Sequence, residues 1–162
     1  MIYDLILSLL SDGCFAAAAA VGFSTISKTP SRAWLWCGLT AAAGHALRFA
    51  LLSGTGLHIV AASTVAAMTV GLMAVIFAPR IKCPAEVCLF PALLPMIPGM
   101  YAYRTVQALM ACIASLDESQ FIHCFYLLAY NGFTCSFIIL GMVIGANIPI
   151  FIFKAISFRA TR

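Results

Sequence analysis

Charge is what this sequence has least of. Only 9% of its 162 residues are Asp, Glu, Lys or Arg, against roughly 25% in soluble domains, and this excludes an ordinary water-soluble globule. Catalytic signatures are missing too. No HExxH, GxSxG or paired catalytic carboxylates occur, and Cys14, Cys37 and His45 stand at no spacing that makes a nucleophile and its base, so an enzyme is not expected. The absence of a GxxxxGK[ST] loop excludes an internal ATP motor. Seven cysteines, at 14, 37, 83, 88, 112, 124 and 135, form no CxxC pair and no His/Cys ligand spacing, so neither metal nor cofactor is expected. They read as small apolar side chains, with a Cys112–Cys124 disulfide left open. The net charge of +4 does not call for nucleic acid, because the basic residues sit at the ends of apolar runs.

Those runs are what the chain does have: 64% of it is hydrophobic. At roughly 20 residues per crossing, the expectation is an all-α integral membrane protein in a lipid bilayer. Residues 1–162 then form a single transmembrane domain, with spans at about 2–26, 33–52, 57–78, 84–115 and 122–153. The alanines at 16–20 imitate a signal-peptide cleavage region. However, the segment before them lacks a positive start and is interrupted by Asp4 and Asp12, so it reads as a retained first span. Small uncharged turns and basic loops separate the spans: Lys28 to Arg32, Ser53 to Gly56, Pro79 to Lys82, and an acidic loop at Asp117 to Gln120.

The fourth span is interrupted. Pro91, Pro95, Pro98 and Gly99 lie inside apolar sequence, and each proline removes a backbone donor and clashes with the preceding turn. Bare backbone is tolerated at membrane depth only inside protein or beside a wet cavity. Half-helices meeting at such a break form transporter sites; a kinked span without a ligand is the plainer reading, and both stand on sequence alone.

Loop charge sets the topology. With the N-terminus outside, residues 28–32, 80–82 and the tail are internal, and they hold seven of the nine Lys and Arg. The outer loops hold none. Positive loops stay cytoplasmic, so five crossings with a periplasmic N-terminus and a cytoplasmic C-terminus are expected.

The two remaining cations, Arg48 and Arg104, lie within spans, as do Asp12, His45 and Asn131. A charge at the bilayer centre costs about 2.5–3.5 kcal/mol on insertion scales, and such residues mostly face a bundle interior or cavity. Counted from the outer ends at about 1.5 Å per residue, the five fall between about 8 and 18 Å deep. That favours a shared polar chamber. Arg104 and Arg48 present planar forks suited to a carboxylate, while Asp12 and His45 are the groups able to carry a proton. Two arginines suit a dicarboxylate, and one arginine with Asp12 suits a zwitterion. Snorkelling, for Arg48, and a structural ion pair to Asp12 remain open alternatives.

Taken together, these residues resemble the YjjB-like small membrane subunits of the threonine/serine exporter family. The resemblance lies in Ala20-Val21-Gly22-Phe23 followed by Pro30 and Arg32, in Gly44-His45 with Arg48, and in Pro95-Met96-Ile97-Pro98-Gly99 with Tyr101-Ala102-Tyr103. Asp12 falls where that subunit carries an aspartate. Nearly the whole length is covered, and the Pro-x-x-Pro-Gly element is its most specific part. The resemblance implies one half of a split exporter in the bacterial inner membrane, working with a YjjP-like partner. Its substrates would be small carboxylates, either dicarboxylates such as succinate or hydroxy amino acids such as threonine and serine. A scaffold that only supports the partner, and a homo-oligomer, are the alternatives. The tail from Phe153 to Ile156 departs from the more basic ending of that subunit, which bears on topology signals rather than on the site.

Overall fold

In the computed structural model, which describes residues 2–153, the chain is helical, with no strand among the described residues. Six α-helices follow in order: α1 (Ile2–Ile26), α2 (Ser31–Thr55), α3 (Ile59–Ile81), α4 (Glu86–Leu93), α5 (Gly99–Ala114) and α6 (Glu118–Ile152). A 3-10 turn, Leu94–Met96, extends α4. α1, α2, α3 and α6 are long and apolar enough to cross a membrane; 25 residues reach about 37 Å, against an apolar bilayer core of about 30 Å. Over the expected fourth span the chain forms two shorter helices, α4 with its 3-10 turn and α5, parted at Ile97 and Pro98 where the proline pattern placed a break; neither is by itself long and apolar enough to cross. The basic tail with Lys154, Arg159 and Arg162 lies outside the described residues.

Several boundaries move. Ser53, Gly54 and Thr55 are not a turn but the last residues of α2. The Ser53 hydroxyl donates to the Phe49 carbonyl at 2.7 Å and Thr55 to Leu51 at 2.6 Å, so both polar side chains are satisfied along the helix itself. The stop is Gly56, at φ 64°, a left-handed conformation that glycine enters without a Cβ penalty. α2 also begins earlier, so Ser31 and Arg32 are helical. α3 runs through Pro79 to Ile81 and ends on Lys82 at φ 53°. α6 begins at Glu118, not at 122, because Asp117 accepts from the Gln120 amide at 3.3 Å and from the Ser119 hydroxyl, as an N-cap does. Cys112 and Cys124 are both free thiols.

The described residues form two compact units, 2–96 with 141–153, and Ile97–Leu140. In the first, small residues let helices approach closely, the means by which spans associate without a hydrophobic drive between them. A methyl group on Gly71 of α3 would overlap the Ala146 carbonyl of α6, and one on Gly145 would overlap the Thr64 carbonyl. Arg32 donates from Nη2 to the Lys82 carbonyl at 3.1 Å, so the first two basic segments share one end of this unit. Trp34 Nε1 donates to the Thr29 carbonyl at 3.0 Å at the same end, as an interfacial tryptophan is placed to do.

Candidate functional site

The first unit gathers three of the five polar residues singled out from the sequence: Asp12 from α1, and His45 and Arg48 from one face of α2. Gly13 faces Ala42 at ordinary van der Waals distance, and this α1–α2 contact sets Asp12 beside His45. His45 Nδ1 and Asp12 Oδ2 are 3.1 Å apart. The imidazole is buried at 7% exposure, and its other nitrogen, Nε2, is buried with no hydrogen-bond partner.

Arg48 donates from Nη1 to the Met96 carbonyl at 3.0 Å, and among the described residues no acid pairs with it. That carbonyl belongs to the last residue before the break, where the helical ladder is interrupted between the 3-10 turn and α5. Met96 is fully buried, its sulfur lying beside Gly44 of α2, where a Cβ would overlap the Val70 side chain. The guanidinium thus satisfies a carbonyl that the break sets free.

The second unit holds the other two, Arg104 and Asn131. α6 meets α5 at Gly132, where a Cβ would make an ordinary van der Waals contact of 3.5 Å with the Thr105 methyl. Beside this contact lies a cavity of about 470 Å³ whose wall includes Arg104 and Gln107 from α5, and Cys124, Leu127, Tyr130 and Asn131 from α6. Pockets for small molecules run to about 300–1,000 Å³. Arg104 is exposed, and no acidic side chain lines the cavity. Asn131 is buried, and its Nδ2 donates to the Leu127 carbonyl at 2.7 Å.

Arg104 is the sixth residue of α5 rather than part of its first turn. In that first turn the Tyr101 and Ala102 amides already donate to the Pro98 carbonyl, and Gly99 donates to Ile97, so the helix end offers an anion little. Sequence reasoning missed Gln107, although its place three residues after Arg104 puts both on one helical face. It also missed the Met96 carbonyl, for which a sequence carries no signal.

Four helices long and apolar enough to cross a membrane, with a shorter apolar helix that ends at a proline element, fit a multi-pass all-α membrane protein. The chain matches the family model described as Threonine/Serine exporter, ThrE, over residues 12–152, and it belongs to that family. No solved structure matches it.

Proposed function

We propose that this chain is the membrane subunit of a two-component exporter of small carboxylates, and that Arg104 holds the substrate carboxylate in the cavity between α5 and α6. One observation carries the reading: a guanidinium lines a cavity that contains no acid to neutralise it. An unpaired charge in a span is unfavourable until an anion meets it, and the arginine fork fits a carboxylate with two parallel hydrogen bonds. Gln107 and Asn131 add neutral polar contacts. Dicarboxylates such as succinate and hydroxy amino acids such as threonine or serine both belong to this substrate class. Arg48 is engaged by the Met96 carbonyl and Asp12 by His45, so the first unit's charges serve the break and a proton-carrying pair instead. The chain is not an enzyme in this reading, and it uses no cofactor.

The setting is the bacterial inner membrane. The whole chain acts as one transmembrane domain with five crossings, a periplasmic N-terminus and a cytoplasmic C-terminus. A YjjP-like membrane protein supplies the other half, since five crossings without an internal repeat amount to half of a two-repeat transporter. The test is export of labelled threonine and labelled succinate from cells expressing the chain with and without that partner. Export of one or both is expected only when the two are together, and to be lost in Arg104→Ala. Export unaffected by Arg104→Ala assigns the substrate to the partner and leaves this chain a scaffold; export by the lone chain shows that a homo-oligomer suffices.

A further inference from the structure

Two thiols meet between α2 and α4, and the substrate reading uses neither. Cys37, the seventh residue of α2, and Cys88, the third of α4, are both fully buried. Their sulfurs are 3.7 Å apart, bringing together positions 51 residues apart in the chain. The Cys37 sulfur also lies 3.7 Å from the Val87 carbonyl, so both acceptors for its hydrogen belong to α4. Cys83, a third buried thiol at this end of the unit, is held by another group: its sulfur accepts from Arg32 Nη2 at 3.4 Å.

A disulfide bond is about 2.05 Å long, so closing this pair takes about 1.7 Å of approach, shared between two side chains. We propose that Cys37 and Cys88 form a disulfide, and that oxidation thereby locks α4 onto α2. The bond is a second tie between these elements. Arg48 of α2 already holds Met96 at the far end of the α4 segment, eight residues beyond Cys88. With both ties in place, the first half of the broken segment is fastened to α2 at each end and can neither slide along it nor swing at the break. The oxidant is a small uncharged hydroperoxide, which an apolar interior admits where it excludes a charged reagent. One sulfur takes the terminal oxygen of the peroxide as the O–O bond breaks, giving a sulfenic acid and an alcohol. The second sulfur then attacks the first. The S–S bond forms, the S–O bond breaks, and the hydroxyl leaves as water with the second thiol's proton. Two electrons pass from the sulfur pair to the peroxide, and a dithiol reductant returns them by exchange.

The lock does not depend on which substrate the chain carries, and it is tested without transport. Membrane vesicles from cells expressing the full chain are treated with tert-butyl hydroperoxide until the exposed Cys14 is fully oxidised. They are then alkylated, digested and mapped by mass spectrometry. A Cys37–Cys88 linkage that dithiothreitol removes is expected. The thermal midpoint in detergent is expected to rise by about 5 °C or more on oxidation, because the bond closes a long loop in the unfolded chain. Cys88→Ala, or Cys37→Ala where the first variant does not accumulate, is expected to lose that rise at the same dose. Both thiols still open to alkylation on unfolding, or Cys88 linked to Cys83 instead, overturns the pair. A Cys37–Cys88 linkage with an unchanged midpoint, or a rise that persists in the variant, overturns the lock.

Discussion

Arg48 on α2 donates to the Met96 carbonyl at 3.0 Å, joining an in-span cation to the backbone at a proline break 48 residues further along the chain. Each group solves the other's difficulty. The carbonyl has no helical donor across the break, and among the described residues no carboxylate is bonded to the guanidinium. The pairing makes α2 a splint for the break, so the unwound backbone is held by protein, as membrane depth requires.

Removing the splint is expected to be visible as lost stability. Arg48→Ala leaves a buried carbonyl without a donor, a change of about 1.5–3 kcal/mol for a hydrogen bond to a charged group. The thermal midpoint in detergent should fall by several degrees, with Arg48→Lys in between because an ammonium can still donate. A midpoint equal to wild type in Arg48→Ala contradicts the splint.

Close helix contact makes a sharper contrast between two glycines. Gly71→Val pushes its side chain into the Ala146 backbone, which has no rotamer to escape by, whereas Gly22 has open space where its Cβ would be. Overpacking of this kind is worth about 1–3 kcal/mol, so Gly71→Val should accumulate poorly and melt early. Gly22→Ala should be neutral or slightly stabilising, by up to about 1 kcal/mol, since alanine is the better helix former. Similar behaviour of the two variants rules out the α3–α6 contact.

The helices, the basic loops and the site of the break were all legible in the sequence, because apolar length, Lys and Arg placement and proline chemistry are local. The ends of α2 were not. A Ser-Gly-Thr-Gly string has turn composition, and only the back-bonding of Ser53 and Thr55 to their own helix keeps it wound. Polar depth picked out all five candidate residues, but depth says nothing of partners. That His45 takes Asp12, and that Arg48 takes a backbone carbonyl rather than a ligand, depends on how α1, α2 and α4 pack.

Asp117 gives a prediction in pH. The Ser119 hydroxyl, and then the Gln120 amide, hold its carboxyl below the ordinary value of 3.8. Its capping contribution is therefore fully present above that value and is lost as pH falls through the lower folded one. Exchange of the Gln120 and Phe121 amides, corrected for intrinsic rate, should quicken as pH drops from about 4 to about 2. Asp117→Asn should flatten that dependence, and an equally steep curve in the variant assigns the effect elsewhere.

Topology can be read from two serines. Arg32 and Lys82 share one end of the first unit, which under the positive-inside rule is the cytoplasmic end. In a cysteine-free background, Ser27→Cys should react with an impermeant maleimide only from the cytoplasmic face, and Ser119→Cys only from the periplasmic face. Reaction of both from one side removes the five-crossing arrangement.

The central claim is that the Arg104 fork, not merely its charge, binds the substrate carboxylate. Transport KM in Arg104→Lys tests it most directly, because lysine keeps the charge but not the two-pronged geometry. The account predicts a folded, inserted protein with KM raised by about ten-fold or more, the equivalent of ~1.4 kcal/mol. Wild-type KM in Arg104→Lys, alongside Arg104→Ala that is lost from the membrane, would contradict it and make Arg104 a structural residue.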